Sequence, residues 1–131
     1  MIYSFSDFIR QWLEKADHDL LAAKALIEYK PMIVDNACFH CQQAVEKYLK
    51  AFLIYKEQET SKTHDVKFLI DQCNKLDTDF KNIDVKDIEV FAVRARYPDD
   101  SIMPTIEETK EYFQIATEIK KLVLKKIKFE S

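Results

Sequence analysis

Polar side chains recur at helical spacing between residues 35 and 56, a stretch without proline or glycine. At 100° per residue, five of them fall on one narrow stripe of a helix: Asn36, His40, Gln43, Lys47 and Lys50. The imidazole could transfer a proton near neutral pH, and the lysines could bind phosphate as point charges. Two interpretations stay open, because such a stripe is either a solvated helix face or the wall of a ligand site.

A second group of candidates follows near the end of a later helix, where Arg94, Arg96 and Tyr97 lie close together. Arginine binds phosphate through two parallel hydrogen bonds, and tyrosine can stack on a base. Residues at i and i+2 lie about 160° apart around a helix, so the two arginines cannot share one face. We expect one to form a structural salt bridge while the other contacts a ligand.

The dipeptide His64-Asp65 falls between two predicted helices. In one interpretation it is local structure, with Asp65 capping the following helix and His64 packing on the preceding one. In the other, His64 contacts a ligand. No nucleophile lies beside the pair in sequence, so it does not indicate a catalytic triad.

The spacing Cys38-x-x-Cys41 invites a zinc interpretation, but a structural zinc site needs four ligands. The remaining thiol or imidazole candidates are His40, His64 and Cys73. Both thiols of the pair also fall on the apolar arc of their helix, away from His40. We therefore predict buried free thiols and no bound metal.

Apolar residues at steps of three and four predict helices along almost the whole chain, and no segment alternates as a strand does. Ser6 or Asp7, Asp35 or Asn36, Thr63 or Asp65, Asp84, and Thr105 with Glu108 are the predicted helix starts. Pro31 and Pro98 are the predicted stops, and residues 77–83 a connector. The predicted core includes Trp12, Leu13, Leu20, Val45, Phe52, Phe91, Phe113 and Ile119. We predict one all-α domain over residues 1–131, a bundle of four to five helices.

Composition narrows the function classes. The 131 residues include no glycine, which argues against a glycine-rich phosphate loop or a dinucleotide fingerprint. The net charge of −3 gives no general indication of nucleic-acid binding. No apolar run is long enough to span a membrane, and no secretory signal is visible. With three cysteines in apolar or helical settings, we expect a cytoplasmic protein.

Three short motifs, in order, resemble the HEPN family (higher eukaryotes and prokaryotes nucleotide-binding domain). They are His40 with Gln42-Gln43, Glu46-Lys47 and Lys50; Lys62-Thr63-His64-Asp65; and Arg94-Ala95-Arg96-Tyr97-Pro98-Asp99. The resemblance implies an up-and-down helical bundle that commonly forms a homodimer. It also implies a role in binding a nucleotide, a polyphosphate or a protein partner, often a nucleotidyltransferase encoded beside it in a toxin–antitoxin pair.

The ribonucleases of that family carry an arginine followed by four to six residues and then a histidine. Counted from Arg94 or Arg96, those positions hold no histidine, and none follows His64 in the chain. The group that would transfer the proton is absent, so we assign no catalytic residue and no cofactor. A divergent metal-independent ribonuclease using His40, His64 and an arginine, and a purely structural interaction protein, stay as alternatives.

We expect one polar cleft where the stripe, His64 and the end of the fourth predicted helix meet. Its predicted ligand-binding residues are His40, Gln43, Lys47, Lys50, His64, Arg94, Arg96 and Tyr97.

Overall fold

The computed structural model describes residues 4–60, 62–89 and 103–129. Those ranges contain α1 (Phe5–Tyr29), α2 (Val34–Tyr55), α3 (Val66–Leu76), a 3₁₀ helix (Thr78–Asn82) and α4 (Ile106–Lys126). They contain no strand, and the prediction of an all-α bundle is confirmed. None of the described helices has the length and apolar content needed to cross a bilayer. The predicted Arg94, Arg96 and Tyr97 lie outside the described residues.

The central element is α2, which packs against α1, α3 and α4. This explains its wide apolar arc, on which Cys41, Ala44, Tyr48 and Phe52 are all completely buried. Each large side chain removed from water contributes roughly 1.5–3 kcal/mol, so the burial of this face stabilises three helix contacts at once.

Contacts between side chains show the relative directions of the helices. Trp12 lies near Lys50 and Asp19 near His40, so α1 and α2 run antiparallel. In the same way Arg10 lies over the ring of Phe129, while Asp17 pairs with Lys120. The chain of α4 is therefore antiparallel to α1, and α1 presents one flank to α2 and the other to α4.

The predicted core is largely confirmed. Leu13, Leu20, Val45, Phe52 and Ile119 are buried, whereas Trp12 and Phe113 are only partly buried and Phe91 lies outside the described residues. Trp12 and Phe113 sit at the edges of the α1–α2 and α1–α4 contacts, where each lines a surface pocket. Sequence periodicity placed both on the correct side of their helices but could not show how far the neighbouring helix covers them.

Two helix starts were predicted too late. Ser4, rather than Ser6 or Asp7, caps α1 and forms a capping box with Asp7. Likewise α2 begins at Val34, after Ile33, which makes no side-chain cap, so Asp35 and Asn36 lie inside the helix. Packing against α1 determines this start, because no local polar side chain marks it.

Two other caps were predicted correctly. Asp65 accepts a hydrogen bond from the Phe68 N–H and caps α3. Thr105 and Glu108 form the predicted capping box of α4.

The predicted connector at 77–83 is instead mostly a 3₁₀ helix. Asp77 accepts a hydrogen bond from the Asp79 N–H at 3.0 Å, and Phe80 is buried against Phe52 with ring centroids 4.7 Å apart. The helix start at Asp84, by contrast, was predicted too early. Asp84 accepts a hydrogen bond from the Lys86 N–H, and Lys86 has a φ of 52°. A local side-chain turn thus competes with the helix, and the first helical residue is Ile88.

Candidate functional site

The polar stripe of α2 faces α1 and is not a freely solvated surface. His40 Nδ1 lies 2.9 Å from Asp19 Oδ1, and Lys47 Nζ donates to the other oxygen of the same carboxylate. Asp19 is only 12% exposed. One acidic side chain of α1 therefore joins two residues of the stripe that are seven positions apart.

Lys50 lies deeper than the rest of the stripe. Its ammonium is 3.3 Å from the Glu46 carboxylate, and both side chains are almost completely buried. The same ammonium lies 5.8 Å from the ring centroid of Trp12, within the range of a cation–π contact. Gln43 donates to the side-chain oxygen of Gln42 at 2.8 Å. The solvated-face interpretation is therefore wrong for His40, Lys47 and Lys50.

Glu46 is the acceptor at which three side chains meet. His64 Nδ1 lies 3.0 Å from Oε1, Gln42 donates at 3.4 Å, and Lys50 pairs with Oε2. The ring of His64 is 75% exposed, whereas Glu46 is 4% exposed. The loop before α3 is thereby fixed to α2 through one buried carboxylate.

Glu46 and Gln42 are not among the predicted site residues. Both belong to the second-helix motif, and Glu46 lies one turn before Lys50, the i,i+4 spacing at which opposite charges pair. That spacing predicts the ion pair. It does not predict that the pair is buried, because Glu46 lies between the apolar arc and the polar stripe and its exposure depends on the loop that covers it.

The expected convergence of the stripe with His64 is found at one end only. His64 and Lys50 bond to the same carboxylate, whereas His40 lies ten residues before Lys50, about 15 Å away along the helix axis. His40 belongs instead to the Asp19 cluster. The third predicted component, the segment with Arg94, Arg96 and Tyr97, lies outside the described residues.

A pocket of about 270 Å³ adjoins the stripe at Lys47. Its walls are formed by Phe8, Gln11, Trp12, Lys15 and Lys47. Among the residues that the structure describes, Lys15 pairs with no carboxylate. Four of these five residues come from one face of α1, and none of those four is a predicted site residue; Lys47 is. Their spacing at 8, 11, 12 and 15 is helical, but it could equally mark a face turned toward the core.

The three thiols lie inside the bundle and are poor nucleophiles. Burial raises the pKa of Cys38 to about 12 and that of Cys73 to about 12, and it raises the pKa of Cys41 further. Within the described ranges, no group of three or more His, Cys, Asp or Glu side chains is arranged to hold a metal ion. The absence of zinc at Cys38 and Cys41 stays a prediction for elemental analysis.

A family model and a solved structure both show similarity to the HEPN domain. The family model described as the HEPN domain matches residues 9–127. The fold is similar to the crystal structure of an archaeal HEPN homologue, with a TM-score of 0.66 and 23% sequence identity, over 92% of this chain and 98% of that one. No curated protein gives a significant match. At this level of identity, the structural likeness bears on the fold and not on the ligand.

Proposed function

Because the chain belongs to the HEPN domain family, as the match over residues 9–127 shows, we propose that it binds a nucleotide-like, phosphate-bearing ligand without cleaving RNA. The observation that carries this proposal is the pocket between α1 and α2, where the Trp12 ring lies beside Lys15 and Lys47. An indole can stack on a base, and two ammonium groups can neutralise a phosphate.

The size and charge of the pocket fit such a ligand. Its volume of about 270 Å³ is close to the lower end of the range for small-molecule pockets, roughly 300–1,000 Å³. Lys15 pairs with no described carboxylate, so its charge is available to an anion. Lys47 is paired with Asp19, but His40 bonds to the same carboxylate. A phosphate can therefore recruit Lys47 while Asp19 keeps a hydrogen-bond partner.

The predicted residues outside this pocket have different roles in the proposal. Lys50 and His64 both contact the Glu46 carboxylate, and Gln43 donates a hydrogen bond to Gln42. These three residues are therefore proposed to stabilise α2 and not to contact the ligand. Arg94, Arg96 and Tyr97 are proposed to contact the ligand phosphate or base as well. Replacing Arg96 with Ala should then weaken binding by roughly 1.5–3 kcal/mol, the scale of a hydrogen bond to a charged group.

Calorimetric titration with a panel of nucleotides and polyphosphates tests the proposal. Trp12 is the chain's one tryptophan, so its fluorescence reports directly on this pocket. Lys15→Ala and Lys47→Ala should each weaken binding about tenfold or more, whereas Lys67→Ala, an exposed lysine of α3, should leave it unchanged. Equal affinities in all four proteins would remove the pocket from the ligand site.

We further propose a protein partner of the nucleotidyltransferase type, in a toxin–antitoxin-like pair. Two observations support this: membership of the family, and the absence of the ribonuclease histidine, which favours a binding role. Co-expression with the product of the neighbouring gene and co-purification of the two chains test it. A neighbouring gene of unrelated type, or separate elution of the two chains, contradicts this part of the proposal only.

A divergent ribonuclease is the second candidate, and one observation favours it. His64 Nδ1 is bonded to the buried Glu46, while its Nε2 bonds to no described residue and the ring is largely exposed. A carboxylate that orients an imidazole in this way is one component of general acid–base sites. Incubation with labelled RNA decides between the candidates: we expect no cleavage, and cleavage lost in His64→Ala would favour the ribonuclease.

A further inference from the structure

A second surface depression lies on the opposite flank of α1, between α1 and α4. It is a groove of about 450 Å³, and its walls include Asp17, Leu21, Lys24, Phe113 and Lys121. At 100° per residue, its α1 residues point about 180° away from those that line the Trp12 pocket. The two sites are therefore separate, and a ligand in one does not contact the other.

The floor and edges of the groove expose apolar side chains to solvent. Leu21 is 63% exposed, although it lies between the core residues Leu20 and Ala23 in sequence. On the facing wall, Phe113 is partly buried. Leu124, 44% exposed, continues the same arc of α4 beyond the residues that line the groove. Apolar side chains aligned along two antiparallel helices make a linear surface, which is the type of surface that another helix covers.

The rim of this groove is positively charged on a chain with a net charge of −3. Among the described residues that line it, one is acidic, Asp17, and it pairs with Lys120 at 3.1 Å. Lys24 and Lys121 lie on opposite walls, and neither forms an ion pair with a described carboxylate. Two unneutralised cations thus flank an apolar floor, so the complementary surface is apolar with acidic residues on both sides.

We infer that this groove binds an amphipathic α-helix of a partner protein whose apolar stripe is flanked by Asp and Glu. The groove extends from Asp17 to Lys24 along α1, about 10 Å at the rise of an α-helix, which is two turns. Two turns accommodate apolar anchors at i, i+3 or i+4, and i+7. The acidic flanks of the partner helix then contact Lys24 on the α1 side and Lys121 on the α4 side.

A designed peptide tests the inference without knowledge of the natural partner. The probe is an end-blocked, fluorescein-labelled 16-residue helix with Leu at i, i+4 and i+7 and Glu on both flanks of that stripe. Two control peptides carry Lys in place of every Glu, or Ser in place of every Leu. In fluorescence anisotropy at low salt, we expect the acidic peptide to bind at least tenfold more tightly than either control.

Substitutions locate the binding surface. Leu21→Asp should weaken binding of the acidic peptide at least tenfold, and Lys24→Glu and Lys121→Glu about three- to tenfold each. Lys67→Glu, on α3, is the matched control and should have no effect. Leu21, Lys24 and Lys121 are all exposed, so these variants are expected to fold, which circular dichroism checks.

Three outcomes would overturn the inference. The acidic and basic peptides could bind equally, or binding could persist in Leu21→Asp. Alternatively, Leu21→Asp could halve the mass in light scattering, in which case a second copy of this chain covers the groove. Nucleotide titrations of Leu21→Asp separate the two sites, since the Trp12 pocket should keep its affinity whatever happens to the peptide.

Discussion

At the scale of single residues, the most consequential feature is the buried ion pair of Glu46 and Lys50. Both side chains are about 95% buried, and Glu46 also accepts from His64 and Gln42. A buried charge is tolerated only while its partners remain, because desolvation costs several kcal/mol for each ion. The role of the pair is therefore positional: Glu46 holds the His64 loop on α2, and Lys50 lies near the Trp12 ring.

Removing one partner of this pair should destabilise the fold strongly. Glu46→Ala leaves the Lys50 ammonium buried without a counter-charge, and we expect a loss of about 3–5 kcal/mol in the free energy of unfolding. The double variant Glu46→Leu with Lys50→Met should recover much of this loss, since no unpaired charge remains. Urea denaturation measures both, with Lys47→Met as the more exposed control. Additive losses in the double variant would show that the two charges are not coupled.

Glu89 gives the clearest expectation for pH dependence. Burial raises the pKa of its carboxyl group, the nearby Asp65 carboxylate raises it further, and a hydrogen bond from the Val66 N–H opposes the shift. Its stabilising contribution is therefore complete below the unfolded-state pKa, about 4.3, and is lost as the pH rises through the higher folded-state pKa. Ionised Glu89 destabilises the neutral-pH protein.

Glu89→Gln should therefore raise the melting temperature at pH 7, because the amide oxygen can still accept from the Val66 N–H. The advantage should shrink as the pH falls toward 4, where the native carboxyl group is protonated. Thermal denaturation at pH 7, 5.5 and 4 measures it, with Glu118→Gln, an exposed carboxylate of α4, as the control. A variant that is less stable than the native chain at pH 7 contradicts this account.

At the scale of the helices, local caps explain some starts and packing explains others. The Thr105–Glu108 capping box and the Asp65 cap could be predicted from sequence, because the side chain that satisfies the free N–H groups lies within three residues. The start of α2 could not, since Ile33 contributes no side-chain cap. The long contact of α2 with α1 determines it, and that contact is not encoded in any short segment.

The two kinds of start should respond differently to substitution. Thr105→Ala removes the acceptor for the Glu108 N–H and should lower the free energy of unfolding by about 1 kcal/mol. Asn36, one of the two caps predicted for α2, lies within the helix and is exposed, so Asn36→Ala should leave stability unchanged or raise it slightly. Chemical denaturation of both variants checks the comparison. An equal loss in the two would show that Asn36 supports the start of α2 after all.

At the scale of the whole molecule, periodicity predicted which residues share a helix face but not which helix they meet. The apolar arc of α2 identified its buried side because apolar side chains need only a non-specific neighbour. The polar stripe needed a particular partner, and Asp19 of α1, twenty-one residues before His40, supplies it. Ion pairs at that separation depend on the register between two helices, which no local pattern specifies. The pocket at Trp12 likewise depends on the register between α1 and α2, since both helices line it.

The last prediction is a homodimer. The family resemblance implies one, and the chain has nine phenylalanines and six tyrosines, of which Phe5, Phe8, Tyr29 and Phe68 are more than 40% exposed. Exposed aromatic side chains on a small bundle favour self-association, because their burial removes a large apolar area from water. Size-exclusion chromatography with light scattering should give about twice the chain mass of 15.5 kDa at micromolar concentration. The variant Leu21→Asp should remain dimeric, since the α1–α4 groove is proposed to bind a different partner. A monomer mass for the native chain across the concentration range contradicts the prediction.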